Sequence, residues 1–332
     1  MPLLWENSRS ELDKVASLLR SSSDYDIPLP DSLKKLGLDW SQKLLKEVNG
    51  NVLYVSQREY GIIDPLSKVS GVTGEIEYIA TDSATTCHIL ILIHPESRVV
   101  GVAHFDGCNT MQGVQELLTS LDTRVAAIDS SSAPSSSLRY KLYLFGGFSD
   151  PKGTSKSLSL DLLDALSECS QLLELTALCI GEQNSRYQDD ICYPIFYGAG
   201  VDCNTLEVHK IECSDRGPLQ DVKSCRNFVG PKEMVSCWDH TTREMFIEPF
   251  DYQPLKKIDL WLKQSDETLL KYFSTSPEQE PPHFVASLRA SLLCLLKHPQ
   301  PLTSLFKDGI AFRFKLVDGH WIEVKRDTSA KT

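Results

Sequence analysis

No Cys-x-x-Cys pair occurs among the ten cysteines of this 332-residue chain, which lie at 87, 108, 169, 179, 192, 203, 213, 225, 237 and 294. Neither a zinc knuckle nor a dithiol redox motif is therefore read from them, and no metal or organic cofactor is expected. Long apolar stretches are missing too. The longest, such as Ile89 to Ile93, are far too short to span a bilayer, and the opening "MPLLWENSRSELDK" lacks the basic and apolar regions of a secretory signal. Positive charge is in deficit, with 34 Lys and Arg against 45 Asp and Glu and a formal net charge of −11. That balance argues against a broad footprint on nucleic acid or an anionic membrane and suits a cationic peptide end. No internal repeat is visible. The expected setting is the cytoplasm, with the nucleus as the other candidate, and most thiols free. Met1 followed by Pro2 is a context in which the initiator methionine is commonly removed, so the mature chain is expected to begin at Pro2, which intact mass would test.

What is present is an ordinary globular composition, 41% hydrophobic, able to bury a substantial core. Residues 1–50 read as a helical flank, from the periodicity of "SELDKVASLLRSS" and "DWSQKLLKEVNG". From Asn51 the signal turns to strands, in "NVLYVSQREYGII", "GEIEYIATD", "HILILIHP" and "RVVGVAHFDG". A helix follows in "NTMQGVQELLTSLDT", capped at Asn109 or Thr110. The serine-rich stretch Asp129–Ser137 reads as a surface loop. Beyond it come a strand "LRYKLYLFGG", a helix within "SKSLSLDLLDALSECS", a buried strand "LLELTALCIG" and paired strands up to Cys213. This alternation predicts a layered α/β sandwich of mostly antiparallel or mixed sheets flanked by helices over residues 51–213. Residues 214–332 read as an extension of hairpins and helices packed on that core, including a long helix from His283 and a final hairpin turning at Asp318-Gly319.

Chemistry centres on Cys87. A thiol becomes a nucleophile when a nearby base yields thiolate. His88 adjoins it, but neighbours on a strand point to opposite faces. His104 is the better partner. A hairpin turning near Glu96-Ser97 makes paired positions sum to 193, which sets Cys87 opposite Asp106 and His104 diagonally two residues away. Thr81 is placed to hold the imidazole tautomer. Gly146-Gly147, after a strand, allow close backbone approach and are candidates to lend N–H groups to an oxyanion site, or to form a tight turn. On pattern alone, a lone Cys and His on neighbouring strands are more often structural than catalytic, and the other nine cysteines read as core fillers.

"ATTCHILIL", "VAHFDG", "LFGGFSD", "DRGP" and "STSPEQEPPHFV", in this order and spacing, resemble the protein N-terminal asparagine amidohydrolase family. A more distant likeness reaches the CheD-type chemoreceptor glutamine deamidases. In those, a Thr, a Cys six residues on and a His seventeen beyond form the catalytic set, with a later FGG segment. Thr81, Cys87 and His104 match that spacing, and Phe145-Gly146-Gly147 match the segment. The likeness implies a CheD-like core in which Cys87 is the nucleophile, His104 the base and acid, and Thr81 the orienting group. It also implies conversion of N-terminal Asn to Asp with loss of ammonia, acting on proteins or peptides with a free N-terminal Asn and feeding arginyl-transfer and degradation. The CheD type reaches its Cys through a Gly-rich "LGSC", whereas this chain has "SATTC", which leaves the N–H of Cys87 as the candidate oxyanion donor. Reading a free α-amine calls for a carboxylate or inward-facing carbonyls beside the nucleophile, and Asp82, Asp106 and Glu182 are the candidate carboxylates, each otherwise an ordinary solvated or turn carboxylate. A non-catalytic binder of peptide ends, or a deamidase acting more broadly on glutamine or asparagine, is the alternative.

Overall fold

The structure, a computed structural model, describes residues 3–22, 29–65, 75–128 and 138–325, with side chains from Arg9 onward. Met1, Pro2 and the serine-rich stretch at 129–137 lie outside the described residues, so the expectations placed on them are not addressed. Two mixed sheets face one another. The first runs in the order β13 (Val235–Ser236), β3 (Glu59–Ile63), β6 (Val100–Phe105), β5 (His88–Ile93), β7 (Arg139–Gly146), β8 (Leu172–Ile180). The second runs β1 (Leu45–Val48), β12 (Val208–Cys213), β11 (Ala199–Asp202), β4 (Tyr78–Thr81), β2 (Val52–Tyr54). Both combine parallel and antiparallel pairs, as the α/β reading anticipated.

The central strand β5 explains the layering. All six of its residues are buried, which is why the "ILILI" that follows His88 is apolar throughout rather than alternating. Leu90 and Leu92 pack with Leu12 and Val15 of α1 (Leu3–Ser21), Leu117 of α3 (Thr110–Ile128) and Leu162 of α4 (Thr154–Glu168). Ile89, Ile91 and Ile93 face the other way, onto Ile79 and Val201 of the second sheet. The period-2 alternation thus gives three layers: helices, first sheet, second sheet. Trp40 of α2 (Asp31–Ser41) closes the inter-sheet core by stacking on Phe145, with ring centroids 4.1 Å apart.

Residues after Cys213 build a further core from α5 (Gln220–Val229), α6 (Ile258–Trp261), α7 (Asp266–Phe273), α8 (Phe284–Lys297) and the segment through α9 (Pro301–Ser304). A four-stranded sheet, β14 (Trp238–Asp239), β15 (Glu244–Ile247), β16 (Phe312–Val317), β17 (His320–Glu323), lies beside them. Asp318 and Gly319 both take positive φ, the requirement of a two-residue type I′ turn, where the sequence set it. A small hairpin, β9 (Ser185–Gln188) with β10 (Ile191–Pro194), completes the strands. The extension does not merely rest on the core: β13 pairs in parallel with β3, and Lys223 and Arg226 of α5 pair with buried Glu59 at 2.9 and 3.0 Å.

Two local expectations are corrected. "DWSQKLLKEVNG" is not one helix, because α2 stops at Ser41 and Leu45–Val48 pairs in parallel with β12. An exposed, amphipathic stretch with a free ladder edge beside it satisfies its backbone groups better as a strand. "GEIEYIATD" contributes only Tyr78–Thr81 as a strand, since β11 pairs along those four residues alone.

Candidate active site

Strands β5 and β6 pair in the register expected, His88 with Phe105 and Ile89 with His104. Cys87 directly precedes β5, so alternation puts it on the face of Ile89 and of His104, toward the second sheet. From that sheet Thr81, at the end of β4, reaches across: its Oγ1 lies 2.7 Å from His104 Nδ1, with both residues buried. Cys87, His104, Asp82 and Asp106 line one side of a cavity of about 650 Å³, and Phe228, Phe273, Glu280 and Phe284 from the extension line the other.

The loop Asp82–Cys87 that joins the two sheets is held at several points. Ala84 N–H donates to Tyr197 O at 2.9 Å, and Gly147 N–H donates to Cys87 O at 2.9 Å. Thr86 Oγ1 lies 3.1 Å from Thr275 Oγ1, and Ser83 Oγ lies 3.2 Å from His283 Nε2, so the extension grips the loop as well. Gly146 has φ +109°, and a Cβ there would collide with the carbonyl oxygen of Cys87. Only glycine permits this approach of β7 to the Cys87 backbone.

Burial sets the resting charge of the pair. It pushes the Cys87 thiol well above its ordinary value, with the charges of Asp106 and Glu280 adding and Arg58 opposing. It pulls His104 down to about 4 against the pull of Asp106, Asp82 and Glu59. Burial therefore disfavours the charged form of both thiol and imidazole. The tautomer that donates Nδ1–H to Thr81 Oγ1 leaves a lone pair on His104 Nε2 free to accept a proton.

The carboxylates divide differently from the expectation. Asp82 lines the cavity but is occupied: Arg216 holds both its oxygens at 2.9 and 3.0 Å, and Tyr54 Oη and Cys213 N–H each donate at 2.9 Å. Asp106 is likewise taken, by Arg58 Nη2 at 2.7 Å, Gln57 Nε2 at 2.9 Å and Cys108 N–H at 3.0 Å. Burial works against its charge, yet the Arg58 guanidinium outweighs this and holds the carboxyl below its ordinary range. Glu182 is exposed on the short 3₁₀ turn Gly181–Asn184 and does not line the cavity. Gly146 and Gly147 do not line it either. Gly146 belongs to the β5–β7 ladder and the Gly147 N–H is spent on Cys87 O, so they shape the loop rather than offer N–H groups to it.

Sequence reasoning did not single out Arg58, Arg216 or Glu280. Arg216 stands in the quoted "DRGP" and Glu280 in "STSPEQEPPHFV", but nothing local shows that these segments meet Cys87. His88, set aside on alternation, points to the helical layer, with Nε2 2.6 Å from Ser159 Oγ of α4. Seven of the other nine cysteines are buried, and all ten are free.

A mixed α/β chain that gathers a thiol, an imidazole and a hydroxyl at one cavity has the parts of an amide-hydrolysing enzyme, and comparison with known proteins places it in that class. The chain belongs to the protein N-terminal asparagine amidohydrolase family, whose model matches residues 42–323. It is 33% identical to protein N-terminal asparagine amidohydrolase of Homo sapiens over 326 residues, 98% of each chain, and 32% identical to that of Mus musculus over the same share. The protein of that name from Arabidopsis thaliana is 26% identical over 298 residues, 81% of this chain and 80% of its own.

Proposed function

We propose that this protein hydrolyses the side-chain amide of an N-terminal asparagine, giving aspartate and ammonia through a thioester on Cys87. The observation that carries the reading is the 2.7 Å bond between Thr81 and His104 on the wall that also presents Cys87, within a chain of this family. As the sulfur attacks the amide carbon, its proton passes to His104 Nε2. The imidazolium then protonates the departing nitrogen, because amide ion is too poor a leaving group to go otherwise. The carbon–nitrogen bond breaks and a thioester remains. His104 next takes a proton from water, which adds to the thioester, and the proton returns to sulfur as the Asp side chain leaves. The N–H of Cys87 is the donor best placed by sequence for the transient oxyanion. The product, a chain beginning with Asp, is the class of substrate that arginyl transfer consumes.

Mass spectrometry of matched peptides beginning with Asn, Gln or acetyl-Asn tests the reading, with the protein and with Cys87→Ala. Conversion of the free Asn peptide alone, lost in the variant, is expected. Conversion of Gln peptides as well would move the protein to a broader deamidase, and no conversion would leave a binder of peptide ends.

A further inference from the structure

Three carboxylates line the cavity: Asp82, Asp106 and Glu280. The first two are neutralised by Arg216 and Arg58 and have their oxygens filled by the donors described above. Glu280 differs. Its one hydrogen bond is from Ser274 Oγ to Oε1, and among the described residues no Lys, Arg or His pairs with it. It is half-buried, it lines the cavity together with Phe273 and Phe284, and its charge acts on the Cys87 thiol. Burial without a cationic partner pushes its carboxyl up to about 7. An enclosed carboxylate with no counter-ion is costly unless a ligand brings one.

Its position is fixed rather than adaptable. Gln279 donates through Nε2 to Cys192 O at 2.8 Å, Thr275 meets Thr86 beside the nucleophile, and Pro281 and Pro282 stiffen the chain that follows. These contacts tie the segment that carries Glu280 to the loop of Cys87.

Resting on the function proposed above, we infer that Glu280 receives the α-ammonium group of the substrate and, by anchoring it, measures the reach to the side-chain amide. In asparagine three bonds separate the α-nitrogen from the amide carbon, which can be at most about 4 Å apart, whereas glutamine's fourth bond extends this to about 5 Å. An anchor at one end and a nucleophile at the other turn that single methylene into a misplaced reacting carbon. Apolar packing alone discriminates a methylene by only about 10- to 200-fold. Misplacement of the reacting atom adds to it.

The test compares kcat/KM for Asn, acetyl-Asn and Gln peptides in the wild type, Glu280→Gln and Glu280→Asp, with circular dichroism to verify folding. Glu280→Gln removes the charge at constant shape. It is expected to lose at least about 30-fold on the free Asn peptide and far less on the acetyl-Asn peptide, so that the preference for a free amine collapses. Glu280→Asp keeps the charge but draws it back by one methylene. It is expected to retain the free-amine preference and to shift the Asn-to-Gln ratio toward Gln by about tenfold or more, a change that a merely structural role would not produce. Undiminished preference for the free amine in Glu280→Gln, or an unmoved Asn-to-Gln ratio in Glu280→Asp, overturns the inference; should the Gln variant not fold, the Asp variant decides alone. Equal turnover of acetyl-Asn by the wild type would also overturn it. A wild type that converts no Asn peptide would instead sink the functional reading itself, before any variant is compared.

Discussion

His88 and His104 sit on adjacent strands and face opposite ways, and burial acts on both alike. It pulls His104 down to about 4 and His88 to about 3, the latter against a hydrogen bond to the Thr86 backbone that favours the protonated ring. Under the proposed function this keeps the His104 lone pair available below neutral pH. For stability the sign is the reverse of a histidine that gains a carboxylate partner. Below the unfolded value near 6.5 the unfolded chain binds protons that the folded chain refuses, so stability is full above that pH and is lost as the pH falls toward 4. Unfolding midpoints measured from about pH 7 down to about pH 4.5 are expected to fall, and the fall should be shallower in His88→Gln, where one of the two histidines no longer contributes. An equal slope in the two proteins would mean that other groups dominate acid unfolding.

At the scale of elements, the approach of β7 to the loop of Cys87 is the most exacting contact of the site. Gly146 combines φ +109° with a backbone oxygen where its Cβ would stand, whereas Gly153 has φ +68° and open space around it. Gly153→Ala is expected to cost about 1 kcal/mol from backbone strain alone, and Gly146→Ala clearly more, with loss of turnover as the loop shifts. Denaturant midpoints and kcat measured on both variants check this. The β5–β6 register was legible from sequence, because a tight turn and buried alternation leave one pairing that keeps every side chain on its face. The same alternation separated His88 from His104 in advance. The roles of Asp82 and Asp106 were not legible. Whether a carboxylate is free or neutralised depends on cations 134 and 48 residues away in sequence, which no local period or spacing reports. Leu45–Val48 went astray for a related reason, since the partner that makes it a strand lies in β12.

For the whole molecule, the buried cluster of Glu59, Lys223 and Arg226 ties core to extension. Burial alone would raise the Glu59 carboxyl, but the two cations outweigh it and bring it below its ordinary value. Lys223→Met leaves that carboxylate half-paired and is expected to destabilise by about 3 to 5 kcal/mol in urea denaturation. Core and extension should still unfold together, because β13 and the pins on the Asp82–Cys87 loop couple them. Two separate transitions would show that they are independent units. The division of the cavity between early and late parts of the chain also bears on synthesis, which runs from the N-terminus. Thr81, Cys87 and His104 leave the ribosome long before Phe273, Glu280 and Phe284 exist to face them. A growing chain therefore holds Thr81, Cys87 and His104 before the rest of the cavity lining has been made, and under the proposed function its activity is expected only once translation has passed the late helices.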